Sequence, residues 1–254
     1  MRSLEHTALA SDFDGTLFFW NKKPGISAAD LDSIRAFRAA GGRFGICTGR
    51  CRRDLFKELP AHLELDFAIV SSGAMILDSA GRVLRERTLP VELVEEIVSL
   101  VESKANIGIQ AGGELWSTRP DTPADWHRVS SLREIPPNTI HAISASFPSM
   151  EEAAQYASIL HEKFGGRITA FQNVSILDIV SVDCSKGLAV RFIKDFFPVS
   201  RMAGIGDSFN DIPLLRAADV SFTFPTSPQP VQNAASMLVN AVFEAVAFLR
   251  KPSR

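Results

Sequence analysis

Acidic residues at short spacing occur at two places where they could do chemistry. The first is Asp12-Phe13-Asp14-Gly15-Thr16-Leu17, at the end of an apolar run from Thr7 to Asp12 reading TALASD. Side chains two apart on a strand share a face, so Asp12 and Asp14 start together where that strand stops. Gly15 then permits a sharp turn. Two carboxylates at a turn suit a hard divalent cation, which takes oxygen ligands. They also suit a division of labour, in which one attacks as a nucleophile and the other moves a proton. A helix–loop–helix Ca²⁺ site does not fit: Leu17 stands where that loop needs Gly, and Lys23 where it needs Glu. The second place is Gly206-Asp207-Ser208-Phe209-Asn210-Asp211. Asp207 and Asp211 are four apart, and like charges so placed on a bare helix repel by about 0.2–0.5 kcal/mol. A cation between them removes that penalty.

Two shorter motifs add groups that handle anions. Thr48-Gly49-Arg50 offers a hydroxyl and backbone N–H groups at the start of a helix, an arrangement that holds phosphate oxygens, although Thr48 would also serve as a plain helix cap. Lys186-Gly187 opens another helix, where the helix dipole opposes a lysine and an anionic neighbour would account for it. A lysine with its charge in water is the plainer alternative. Cys47 and Arg53 have the separation found in cysteine phosphatases. The glycine-rich spacing between them is missing, and Cys47 falls in a strand that reads as buried.

These groups must be positioned by elements, and the chain supplies a regular alternation. Strands Thr7–Asp12, Arg43–Cys47 and Phe67–Val70 alternate with helices after Ser27, an N-cap with Asp30 three residues on, and over Arg50–Leu59. That is the pattern of a parallel sheet covered by helices, an α/β fold. From Leu77 to Arg87 the rhythm changes to a hairpin turning at Ser79-Ala80-Gly81. Helix Glu92–Ser103, strands Ile107–Ala111 and Leu115–Thr118, and an irregular stretch over residues 119–138 follow. Strand His141–Phe147, helix Met150–Phe164 and strands Arg167–Gln172 and Ile176–Val182 complete a segment expected to form a mixed or antiparallel sheet with helices on one face. The first rhythm then returns: helix Lys186–Phe196, strand Met202–Ile205, helix Asn210–Ala217, strand Val220–Phe224 and a last helix over Val239–Leu249. The expected division is a core of residues 1–80 and 183–254 with an insert of residues 81–182, placed over the sheet edge where ligands bind.

Composition narrows the partners. With 254 residues, 46% of them hydrophobic and 22% charged, the chain has the make-up of a folded globular protein. A net charge of −2 supplies no general field for nucleic acid or anionic membrane. Cys47, Cys51 and Cys184 match no disulfide framework and no zinc spacing, which points to a reduced, cytoplasmic setting. The apolar run between Met1 and Ala10 is too short for a secretory signal, and the longest apolar stretch is broken by Asn240 and Glu244, so no membrane span is expected.

The ordered set DFDGTL, TGR, Lys186-Gly187 and GDSFND resembles the four motifs of the haloacid-dehalogenase-like hydrolase superfamily, and the resemblance covers essentially the whole chain. The insert, between the second and third motifs, is similar to the type IIB cap of the Cof-type, sucrose-phosphatase-like branch. The resemblance implies a Rossmann-like core with helices on both faces and an inserted α+β cap. It implies a Mg²⁺-dependent phosphatase for small phosphorylated metabolites, sugar phosphates foremost. Asp12 would form an aspartyl-phosphate, and Asp14 would serve as acid and base. Thr48 and Gly49 would hold the phosphoryl group, with Arg50 and Asn210 beside it. Lys186 would neutralise charge, and Mg²⁺ would sit on Asp12, the Asp14 carbonyl, Asp207 and Asp211. Ser71-Ser72-Gly73-Ala74 departs from the Asn-Gly-Ala of many relatives, and SFTFPTSPQPV departs from their usual sequence after the fourth motif.

Two other activities fit the same architecture: a phosphomutase of the phosphomannomutase type, and a non-catalytic phosphometabolite-binding regulator. The intact nucleophile, acid, lysine and metal set argues against the regulator, and the Thr-Gly-Arg segment and fourth motif, which the phosphomannomutases typically replace or alter, look hydrolytic. A P-type-ATPase-like pump would need membrane spans. Leaving-group contacts are expected from the cap, where Arg119, His127, Arg128 and Arg133 are candidates for a carboxylate or second phosphate. Hinges for cap movement are expected near residues 78–88 and 181–185.

Overall fold

The computed structural model describes residues 4–251; Met1 to Ser3, where the N-terminal apolar run begins, lie outside them. The first sheet is built from β1 (Thr7–Ser11), β2 (Arg43–Cys47), β3 (Phe67–Val70) and the hairpin β4 (Met75–Asp78)–β5 (Val83–Glu86). The intervening helices are α1 (Ala28–Ala39) and α2 (Arg52–Glu58). After β5 come α3 (Val91–Val101), β6 (Asn106–Ala111), β7 (Glu114–Ser117), β8 (His127–Arg128), β9 (Ile140–Ser146), α4 (Met150–Phe164), β10 (Ile168–Asn173) and β11 (Ile176–Ser181). The chain then returns through α5 (Lys186–Phe196), β12 (Arg201–Ile205), α6 (Ile212–Ala217), β13 (Val220–Thr223), α7 (Gln229–Gln232), β14 (Met237–Leu238) and α8 (Val242–Leu249).

The first sheet runs β14-β13-β12-β1-β2-β3-β4-β5, parallel from β14 to β3 and antiparallel at its hairpin edge. Its central strands are nearly unbroken apolar runs because both faces are covered. On one face Leu9, Phe44, Ile46 and Val70 pack with Ile34 and Phe37 of α1 and Val246 and Leu249 of α8. On the other, Ala8, Ala10, Phe67 and Ile69 pack with Val190 and Ile193 of α5 and Leu214 of α6. Burying a side chain such as Phe44 or Phe67 contributes about 1.5–3 kcal/mol. This is the Rossmann-like α/β core with helices on both faces. β1 lies between β2 and β12, so the chain switches direction across the sheet there and leaves a crevice at the strands' carboxyl ends.

The second sheet runs β10-β11-β9-β6-β7-β8 and is antiparallel except for β7 with β8. Alternation divides its two faces. Ile109, Ile143, Ala145, Leu177 and Ile179 pack under α3 and α4 with Leu93, Ile97, Leu160 and Phe164. The alternate residues, among them Gly108, Gln110, Ser144, Ile176 and Asp178, face the other way, toward the carboxyl ends of the first sheet.

Two expectations need correction. β5 continues the first sheet beyond residue 80, because the whole hairpin pairs onto β3; the chain crosses to the second sheet at residues 87–90. Val239 is not in the last helix. Its N–H bonds to the Thr223 carbonyl, extending the β14 pairing, and α8 starts at Val242. The segment after the fourth motif holds a short helix, α7, with Pro230 near its start, where a missing N–H costs no helical bond. No helix among the described residues is long and apolar enough to cross a membrane.

Candidate active site

Asp12 follows β1, Thr48 follows β2, Asp207 follows β12 and Lys186 opens α5, so four separate elements deliver their side chains to one crevice. The Ser185 hydroxyl caps α5 by accepting from the Leu188 N–H at 3.0 Å, which fixes the first turn on which Lys186 stands. Lys186 is 1% exposed. Its Nζ donates to Asp12 Oδ1 and to Asp211 Oδ1, both at 2.6 Å. The lysine is therefore a buried counter-ion, not a solvated surface charge. Burial by itself would drive its ammonium down, but Asp12 and Asp211 carry it well above its ordinary value.

Asp12, Asp207 and Asp211 bring carboxylate oxygens within 4.8 Å of one another. Burial first, then the charge of Asp211, pushes the Asp12 carboxyl well up, against the pull of Lys186. Asp207 is raised for the same two reasons. Asp211 Oδ2 accepts the Asp207 and Ser208 N–H groups, both at 3.0 Å, so the loop clamps its own acid. Residues 209–211 form a single 3-10 turn ahead of α6, so Asp207 and Asp211 are brought together by a loop and not by a continuous helix face. Gly15, at φ +82°, turns the first motif; a Cβ there would come within 2.8 Å of Asp207 Oδ2. Thr16 donates to Asp207 Oδ1 at 2.7 Å, a link between first and fourth motifs that spacing alone did not reveal.

Asp14 is held by Arg50, whose Nε donates to Oδ2 at 2.7 Å and whose Nη2 donates to Oδ1 at 2.6 Å. Arg50, expected at a phosphate, is thus a bidentate partner of Asp14 in this structure. Thr48 is buried, and its Oγ1 accepts the Arg50 N–H at 3.1 Å, which leaves the hydroxyl proton to donate into the cleft. Asn210 is buried near Asp178, whose carboxyl it helps to hold down against burial, and its Oδ1 has no partner.

The second sheet supplies a wall that the motifs did not disclose. Asp178 of β11 accepts from Ser72 Oγ at 2.8 Å and from Ser144 Oγ at 3.4 Å, and burial raises its carboxyl. Gln110 of β6 donates to the Gly49 carbonyl at 3.0 Å and to Ser144 Oγ at 2.9 Å. Together with Asp12, Asp14, Thr48, Gly49 and Trp126, the residues Gln110, Ser144 and Asp178 enclose a cleft of about 340 Å³. The only sequence sign of Asp178 is one acid in ILDIVS, which reads as the solvent side of a strand; the facing sheet is what buries it.

The remaining candidates stand apart from the reacting groups. Arg119 is paired with Asp121 at 2.9 Å and Arg133 with Glu95 at 2.6 Å. His127 stacks on Trp116 at 4.4 Å, and Arg128 is exposed on β8. Cys47 is buried in β2, and burial drives its thiol far up, the opposite of a cysteine nucleophile. Burial also pushes Cys51 and Cys184 up to about 11, and all three are unpaired.

Known proteins share this fold. A haloacid-dehalogenase-like hydrolase from B. subtilis superposes with a TM-score of 0.83 over 97% of this chain and 99% of its own, at 17% identity. The HAD subclass IIB sugar phosphatase BT4131 superposes at 0.77 over 94% and 95%, at 19% identity. In sequence, the Bacillus subtilis protein named Phosphatase YwpJ is 24% identical over 264 residues, spanning 89% of this chain and 92% of the relative. The model of the haloacid dehalogenase-like hydrolases matches residues 9–247, every motif and both sheets included, and the chain belongs to that family.

Proposed function

We propose that this hydrolase is a Mg²⁺-dependent phosphatase acting on small phosphorylated metabolites, sugar phosphates foremost, through a phosphorylated Asp12. The observation that carries the reading is the buried Lys186 bound to Asp12 and Asp211 inside a three-carboxylate cluster. A structural ion pair would not need a third acid. The names of the relatives add support, since one is called a phosphatase and another a sugar phosphatase.

Asp12 attacks phosphorus; an Asp12–O–P bond forms and the ester P–O bond breaks. Asp14 gives its proton to the departing alcohol oxygen. Asp14 then takes a proton from a water that attacks the same phosphorus, and free Asp12 and inorganic phosphate result. Thr48 Oγ1 and the Gly49 N–H hold the phosphoryl oxygens, with Arg50 and Asn210 at their margin, and Lys186 offsets the charge carried by Asp12. The all-oxygen donor set of Asp12, Asp207 and Asp211, with the Asp14 carbonyl, fits Mg²⁺, which when bound would neutralise phosphoryl charge. The residues of the second sheet act as a cap over the reaction, moving about the crossings at 87–90 and 182–185 to exclude water. The three unpaired cysteines fit a reduced, cytoplasmic setting.

The test is phosphate release from a panel of esters by wild type and Asp12→Asn, with Mg²⁺ and with chelator. Release is expected only with both Mg²⁺ and Asp12; full activity in Asp12→Asn would overturn the mechanism.

A further inference from the structure

Beyond Trp126 the cleft continues. A second cavity of about 360 Å³ lies on the bare face of the second sheet and shares Trp126, Ser144 and Ile176 with the catalytic cleft. Trp126 is half-buried and seats against Gly108 of β6, where a Cβ would come within 2.8 Å of its ring. Glycine at that strand position lets the indole lie close on bare backbone and form the threshold between the two chambers.

The lining of the second chamber has a definite chemistry. Its apolar surface comes from Ile107, Pro123, Trp126 and Ile176, and its neutral hydrogen-bonding groups include Ser117 and Ser146. The cations that line the two chambers are already matched. Arg50 is forked onto Asp14, and Arg119 onto Asp121 through Nε at 2.9 Å and Nη2 at 3.0 Å. Asp178 adds a carboxylate to the catalytic side. A second phosphate or a carboxylate on the leaving group would meet no free positive charge, and desolvating it unpaired is costly. A flat, neutral group would lie on the indole and offer its polar edges to the serines.

Resting on the phosphatase reading above, we infer that the substrate is the phosphate monoester of an uncharged, ring-bearing alcohol whose ring passes Trp126 into the second chamber. Selection is by neutrality and flatness: the site receives one anionic group, at the catalytic end, and rejects a second.

The test compares kcat/KM of the full chain on one acyl phosphate and four phosphate esters. Acetyl phosphate is too small to reach Trp126. Glucose 6-phosphate and adenosine 5′-monophosphate carry a saturated and an aromatic ring. Sorbitol 6-phosphate and 6-phosphogluconate are similar chains that differ by a carboxylate. Wild type is expected to favour sorbitol 6-phosphate over 6-phosphogluconate at least ten-fold. In Trp126→Ala the ratio of the better ring ester to acetyl phosphate is expected to fall at least ten-fold, and to recover in Trp126→Phe. Asp121→Asn, an exposed change that frees Arg119, is expected to raise turnover of 6-phosphogluconate relative to sorbitol 6-phosphate several-fold. The better of the two ring esters identifies the kind of ring. If acetyl phosphate is hydrolysed but the carboxylate ester is preferred, or the Trp126→Ala ratio does not move, the second-chamber inference falls and the phosphatase reading stands. If neither acetyl phosphate nor any of the esters releases phosphate, both fall.

Discussion

Arg50 grips Asp14 through Nε and Nη2 while its Cζ stands 5.2 Å from the Phe13 ring centre and 5.5 Å from that of Phe18, two rings that stack on each other at 4.9 Å. The fork and the neighbouring ring pair together fix where Asp14 stands before substrate arrives. Lysine at that position would keep the charge and lose the fork. Arg50→Lys is expected to lower kcat about 10- to 100-fold, the size of effect that misplacing a catalytic group has, with a smaller change in KM. Steady-state kinetics on any turned-over ester checks this; a rise in KM alone would assign Arg50 to substrate and not to Asp14. Residues of this kind mark the limit of sequence reading. Asp12, Lys186, Asp207 and Asp211 were legible because their types, spacing and order have few other uses. The partner of Arg50 was not legible, since a guanidinium beside a phosphate site and one beside a carboxylate are written with the same letter. Thr16, Asp178 and Trp126 were missed for a related reason: each acquires its role from a residue distant in the chain.

At the scale of elements, α5 depends on the small device at its start. Lys186 stands in the first turn of a helix whose dipole disfavours it, and the Ser185 cap offsets part of that cost. Ser185→Ala is expected to destabilise the fold by about 1 kcal/mol, read as a lower midpoint in urea with an unchanged slope. Strands and helices themselves were readable to within a few residues, because apolar runs of period two and periodic helices are local signals. β14 and the start of α8 were not. Met237-Leu238-Val239 continues smoothly into a helical pattern, and only pairing with β13 makes it a strand. The hairpin β4–β5 was recognised as a hairpin, but the sheet it joins depends on a distant edge that no local pattern announces.

Over the whole molecule, the acid cluster would make stability and the proposed Mg²⁺ binding interdependent. The Asp12 and Asp207 carboxyls lie above their ordinary values in the fold, so folding favours their protonated forms. Their contribution is fully present below the unfolded carboxylate range, about 3.9, and is lost as pH rises through the higher folded values. A cation reverses this by binding the deprotonated set. The Mg²⁺-induced rise in Tm is therefore expected to be larger at pH 8 than at pH 5.5, measured against chelator at each pH. An equal rise at both would place the cation elsewhere.

The burial of all three thiols has a consequence for durability. A thiol raised to about 11 leaves about one molecule in ten thousand as thiolate at neutral pH, and thiolate is the form that peroxides and alkylating agents attack. Cys47, close enough to Lys186 to feel its charge, is shielded further still, because burial drives its thiol higher than the other two. Because the proposed chemistry runs entirely on carboxylates, hydroxyls and ammonium, nothing in it requires a reduced sulfur. Such a catalyst would offer thiol oxidants less to attack than a phosphatase whose nucleophile is a thiolate.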